Sequence, residues 1–326
     1  MLLKRDQDGN LKSVATVGAL DANFEDAGDA AFVDLVHAET GDTSPLLAAG
    51  VRVENASSII ITAQGPSATL SDLDLTSGLT DLVLNAIGDL NVAIDDDTAQ
   101  LDSIDASGVA GSFVLNLSAE NNSLNEAELI DIDGIVLAEG SSLDLTIEQA
   151  EDIGFANIQP AQGATAELNL HGLADQPFDA TTFASGIDVR TVHIAVQPAV
   201  ALDAATNLSG VDDLVLNGTA LTLTAAQYQQ LLNGGTISGT GSVSILGLTQ
   251  ADVDAGLDLS GIASGIAVDV TLAEDVVLSA TDDLGQASVT IPDGLSLSLA
   301  TFAQAHELDI SGGVGSVVTF LFSQLP

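Results

Sequence analysis

The stretch Leu257–Val270, LDLSGIASGIAVDV, constrains this chain most, because it recurs. Worn copies stand at Ile104–Leu117 (IDASGVAGSFVLNL) and Phe178–Thr191 (FDATTFASGIDVRT). Each opens on an apolar residue, an aspartate and a small residue. A break at Ser/Thr–Gly or paired small residues follows, then an alternating apolar run. The starts at Ile104, Phe178 and Leu257 are nearly evenly spaced, which marks a repeat architecture. A second landmark keeps the same order. Leu143–Asp152 (LDLTIEQAED), Leu221–Gln230 (LTLTAAQYQQ) and Leu295–Gln304 (LSLSLATFAQ) each open on Leu-x-Leu and run into a Gln-bearing stretch, which reads as a short helix capped by Thr or Ser.

Between the landmarks lie short apolar runs of period two, separated by Gly, Asn, Asp and Ser. Ser58–Thr62, Asp81–Leu84, Leu90–Ile94, Phe113–Leu117, Asp131–Leu137 and Ala166–Leu170 read as strands. So do Val189–Val196, Asp213–Leu216, Ser242–Leu246, Val268–Leu272, Val289–Ile291 and Val317–Phe322. No single unit can cover its own apolar face, because its strands are short and its helix is marginal alone. Stacking closes that face and pairs strand with strand. The expected fold is therefore mostly β: a parallel, β-helix-like solenoid of about three repeats of roughly 75 residues with short helical insertions. A string of β-sandwich domains is the alternative.

This gives an N-terminal cap or attachment segment over 1–50, first coils over 51–103, and repeats over 104–177, 178–256 and 257–326, the last truncated and carrying a C-terminal cap. A helix is expected near Asp26–Glu39 (DAGDAAFVDLVHAE), with Phe32, Leu35 and Val36 on one face. Aromatic residues make up 3% of the chain, with no Trp and one Tyr, so the core must be built from Leu, Val, Ile and Ala. That composition suits thin stacked layers.

Charge excludes whole classes of function. Forty-seven acidic residues face five basic ones, Lys4, Arg5, Lys12, Arg52 and Arg190, for a net charge of −42. Nucleic-acid binding needs a basic footprint that is missing, and anionic membrane surfaces are disfavoured for the same reason. No run of residues is long and apolar enough to suggest membrane insertion, and residues 1–20 lack the apolar core of a cleaved signal peptide. The chain has no cysteine, which removes disulfides and thiol chemistry.

Few residues suggest a reaction. Asp95, Asp96 and Asp97 (DDD), with Asp131 and Asp133 (DIDG), are candidate Ca²⁺ ligands, since calcium takes six to eight oxygens in flexible geometry. Asp212–Asp213 is a weaker pair, and solvated turn acids are the plain explanation for all of them. His37, His171, His193 and His306 show no metal spacing; His171 and His193 fall in one unit, where a stack allows them to be neighbours, and structural histidines are the plainer reading. Paired carboxylates alone suffice for a glycoside hydrolase, but aromatic sugar platforms are scarce. Neither a phosphate-binding loop nor a Gly-x-Ser-x-Gly elbow occurs.

In their wording, Ala220–Gln227 (ALTLTAAQ), Ile237–Ile245 (ISGTGSVSI) and Leu257–Ile262 (LDLSGI) resemble the β-strand repeat modules of large bacterial surface proteins, of the adhesin and surface-layer type. The likeness covers roughly residues 70–315. Such modules serve as spacers, scaffolds or adhesive stalks, so the resemblance implies a non-catalytic, extracellular role. The expected function is a structural or assembly protein in a cell-surface layer or adhesin, or a fibre or decoration protein of a phage virion. A carbohydrate-binding or carbohydrate-cleaving tailspike-like protein is the alternative. Self-association into an oligomer, filament or lattice is expected, together with a surface glycan or virion partner met through residues 1–50.

Overall fold

The computed structural model describes residues 2–5, 11–15, 19–23, 29–36, 45–76, 78–231 and 235–321. Strand accounts for 52% and helix for 13%, so the chain is mostly β, and its sheets are parallel. Two compact units are present: residues 1–169 with 182–188, and residues 170–181 with 189–326.

In the first unit the chain returns to the same sheet at a short, nearly constant step, so that Ser58, Asp81, Ser103 and Glu128 are successive partners. One sheet stacks Asp29–Leu35, Ala56–Ala63, Asp81–Ala86, Ser103–Val109 and Glu128–Ile130 in parallel. A second stacks Leu46–Ala48, Ser67–Leu70, Asp89–Ile94, Phe113–Leu117, Gly134–Leu137 and Ile158–Pro160. A smaller third sheet pairs Ala19–Asn23, Gly50–Glu54 and Leu73–Asp74. Register is set by the alternation. Leu70, Val92, Leu115, Ile135 and Ile158 are successive partners in one column, and none is exposed. A one-residue slip would turn that column outward, so burial fixes the pairing. One exception to parallel pairing is the hairpin of Leu2–Arg5 and Leu11–Ala15, antiparallel at the edge of the first sheet.

The second unit repeats the device. Leu223, Ile245, Val270, Val289 and Ile310 form a column across five strands, and the first four are almost fully buried. Val211–Thr224 and Thr236–Leu248 are long and pair along nearly their whole length. Glycine relieves this crowded ladder. A Cβ on Gly239 would stand 2.1 Å from the Leu216 carbonyl oxygen, and its φ of +89° also favours glycine.

Short helices decorate the turns: α1 (Ile147–Ile153), α2 (Ala225–Leu231), α3 (Gln250–Asp254) and α4 (Phe302–Glu307). Helices α1, α2 and α4 lie where the Gln-bearing landmarks place them. The helix expected over Asp26–Glu39 is corrected: Asp29–Leu35 is a strand. Ala31, Val33 and Leu35 are buried while Phe32 points outward, which is period two and not a helical face, and parallel pairing to Ala56–Ala63 holds it extended. Residues 26–28 and 37–39 lie outside the described residues.

Candidate functional site

The polar side chains divide between those that hold turns together and those that line two acidic surfaces. The glutamines belong to the first group. At α1, Thr146 Oγ1 accepts from the Gln149 backbone N–H, and Gln149 Oε1 accepts from the Thr146 N–H, a reciprocal cap. The Nε2 of Gln149 then reaches back to the preceding turn and donates to the carbonyls of Leu124 (2.8 Å) and Ala127 (2.7 Å). Gln227 repeats this at α2, donating to Asp203 (2.7 Å), and Gln304 repeats it at α4, donating to Ser279 (2.8 Å) and Asp282 (2.9 Å). Each clamp spans 21 to 25 residues. The sequence landmarks recur because this clamp recurs, at Gln149, Gln227 and Gln304.

Many carboxylates are also occupied by backbone. In all three copies of the first landmark the aspartate accepts from the N–H two residues on, at 2.8 to 3.0 Å: Asp179 and Asp258 at the start of a 3₁₀ turn, and Asp105 within the strand Ser103–Val109. Others reach the neighbouring turn. Asp89 accepts from Ser112, Glu139 from Thr165, Glu274 from Gln250, Asp275 from Ser296 and Asp293 from Val314. Such charge-assisted bonds satisfy corner amides that no strand partner reaches.

The candidate calcium ligands fall at two different corners. Asp97 caps the 3₁₀ turn Thr98–Gln100, and Asp96 accepts from the Leu75 N–H at 2.7 Å. Asp95 and Asp96 stand against Asp72 and Asp74 of the preceding turn. Burial, then the charge of Asp95 and a hydrogen bond to it, push the Asp72 carboxyl above its usual value. Asp74 is raised as well: burial and the charges of Asp96 and Asp95 outweigh the guanidinium of Arg52, 3.4 Å away.

Asp131 and Asp133 line the second acidic surface, a cleft of about 570 Å³ in the first unit. Asp152 of α1 joins them, over an apolar floor that includes Val109, Ile132 and Ile153. Asp131 sits in left-handed backbone (φ +55°), a conformation that Asp tolerates better than most residues. Asp133 accepts from the Phe113 N–H at 2.7 Å. Asp152 is the member that sequence spacing does not reveal, because it arrives from a helix further along the chain. Carboxylates on an open cleft are the groups that a glycosidic bond needs as acid and base. Among the described residues, no three His, Asp or Glu side chains are arranged to hold a metal ion.

Of the remaining candidates, Asp213 accepts from the hydroxyls of Thr236 (2.7 Å) and Ser238 (2.6 Å) on the adjacent strand. His171 and His193 do meet: their rings stack in parallel with centroids 4.4 Å apart. His37 lies outside the described residues. No helix among the described residues is long and apolar enough to cross a membrane. No protein-family model, curated protein or solved structure matches the chain.

Proposed function

We propose that the chain is a parallel β-solenoid acting as a non-catalytic structural or assembly protein outside the cell, in a bacterial surface layer or adhesin or as a fibre or decoration protein of a virion. The short, nearly constant step between parallel strand partners supports the solenoid. The observation that carries the structural role is the use made of polar groups. Glutamines clamp turn to turn, and carboxylates cap corner amides, so much of the chain's polar chemistry is spent on its own shape. An aliphatic interior surrounded by acidic residues suits a spacer that stays soluble by self-repulsion. Immunogold electron microscopy of the native source tests this. Label on a cell-surface lattice, filament or capsid appendage supports it, and label confined to the cell interior removes it.

The cleft of Asp131, Asp133 and Asp152 favours a second reading, a tailspike-like protein that binds or cleaves surface polysaccharide. Release of reducing ends from such a polysaccharide, abolished in Asp131→Asn and Asp152→Asn, would replace the structural role with this one.

A further inference from the structure

Two imidazoles meet face to face in the second unit. His171 lies in the strand Ala166–Leu173 and His193 in Ile187–Ile194, and the two strands are neighbours in one sheet. Leu170, Val192 and Ile194, next to them along the chain, are buried, so alternation turns both histidines away from the aliphatic core. Their ring planes agree within 4° and the centroids are 4.4 Å apart, close to the spacing of about 4.8 Å between paired strands. The fold therefore brings together two side chains that lie far apart in the sequence.

Donor chemistry sets this pair apart in a chain with 47 acidic residues. Carboxylate oxygens suit calcium and magnesium, whereas imidazole nitrogen suits copper, nickel and zinc. To share one ion at a metal–nitrogen distance of about 2.0–2.1 Å, two nitrogens must converge to about 3–4 Å from each other. Stacked rings are near enough for this, but their nitrogens lie in parallel planes and do not aim at one point. Both side chains are half-buried, so rotation about their own bonds can turn one nitrogen of each toward a common point without repacking the core. Among the described residues no further His, Asp or Glu joins them to make a set of three. Asp213 stands beside Thr191 and not beside His193, and the hydroxyls of Thr236 and Ser238 donate to its carboxylate. The net charge of −42 concentrates cations around the molecule without itself selecting among them.

We propose that His171 and His193 form a two-imidazole site for a divalent transition-metal ion of the copper–zinc series, with water completing the coordination, and that the ion ties these two neighbouring strands together. The site does not depend on the surface or virion role. Copper(II) added to the full chain in excess magnesium tests it, because magnesium occupies carboxylates and competes poorly for imidazole. Electron paramagnetic resonance of the unaltered chain with equimolar copper should show coupling to two imidazole nitrogens. His171→Gln and His193→Gln should each leave one nitrogen, with an unchanged circular dichroism spectrum. Each should bind copper at least about tenfold more weakly in competition with a chelating dye, the least that loss of even an outer-shell group costs. His306→Gln, in the helix α4, should match the parent. Hydrogen exchange of the unaltered chain is the second readout: zinc should slow the amides of residues 170–173 and 189–194, since an ion bound only by the folded pair holds the strands closed. An oxygen-only or single-nitrogen spectrum in the parent overturns the proposal. So do two nitrogens that survive both substitutions, or amides there that are indifferent to zinc.

Discussion

Replacing Gln227 with alanine should unfasten the corner above α2. The side chain is 4% exposed and serves both directions at once. Its Nε2 donates to the Asp203 carbonyl at 2.7 Å and, more weakly, to Thr206 at 3.5 Å, and its Oε1 accepts from the Thr224 N–H at 2.9 Å. Alanine removes these three and the bond from the Thr224 hydroxyl to Oε1 (3.2 Å), and leaves at least one carbonyl and one amide without a partner. Each stranded buried group costs about 1–3 kcal/mol, so two cost about 2–6 kcal/mol, less a few tenths for the gain in helix propensity. Because one corner can open without the rest, the readout is local. Hydrogen exchange over residues 203–208 and 224–231 should quicken by at least about tenfold, at 1.36 kcal/mol per factor of ten. Gln227→Glu keeps the acceptor but turns a carboxylate toward the Asp203 carbonyl, so its defect should shrink as pH falls and the acid regains a proton. Gln159→Ala breaks an exposed bond to Ala156 and should change stability by less than about 0.5 kcal/mol. A Gln227→Ala variant exchanging within about threefold of the parent would refute the clamp as the element that joins these turns.

Backbone approach gives a second test: Gly239→Ala meets both a left-handed φ and the Leu216 carbonyl, whereas Gly172→Ala (φ +91°) meets open space. The first should cost about 3 kcal/mol or more and the second about 1 kcal/mol, measured by urea denaturation. The Asp72 carboxyl is raised in the folded state above its unfolded value of 3.8, so protonation favours folding. Its favourable contribution is complete below that value and is lost as pH rises through the folded pKa. Asp72→Asn should therefore raise the melting temperature at pH 7, with the difference closing as pH approaches about 4; a gap that widens in acid would reverse the sign of this cluster. Calcium and sodium chloride of matched ionic strength should raise the melting temperature equally, by screening alone. A saturable, chelator-reversible excess for calcium that Asp131→Asn abolishes would place a cation in the cleft instead.

Much of the architecture is legible in the sequence because the core is regular. Alternation locates the strands at Ser58–Thr62, Leu90–Ile94 and Phe113–Leu117, since burial on one face permits only one register. The step length is not legible. Strand pairing repeats at the short step from Ser58 to Asp81 to Ser103, but each conspicuous landmark recurs only once in several turns, so the apparent period is several steps long. Asp29–Leu35 reads as helical because Phe32, Leu35 and Val36 share a helical face, whereas pairing selects the alternate Ala31, Val33 and Leu35. Helix α3 follows the same Leu-x-Leu-Thr opening at Leu246–Thr249, but Asp252 stands where the landmarks carry Gln, and Thr249 and Asp252 form the capping box that Thr146 and Gln149 form at α1. Within the acidic surfaces, Asp131 and Asp133 are visible as a motif. Asp72, Asp74 and Asp152 are not, because they join their partners from another turn or a helix. The meeting of His171 and His193 follows directly from stacking.

The cysteine-free sequence permits a direct measurement of the stack itself. Thr222, Ser244, Asp269, Ser288 and Asp309 are successive strand partners in the second unit. Spin labels placed at Thr222→Cys and, in turn, at each of the other four positions should give electron–electron distances that lengthen steadily, by about 4.8 Å per strand. Distances that level off or shorten along the series would mean that the chain folds back on itself, and would contradict a stack of parallel turns.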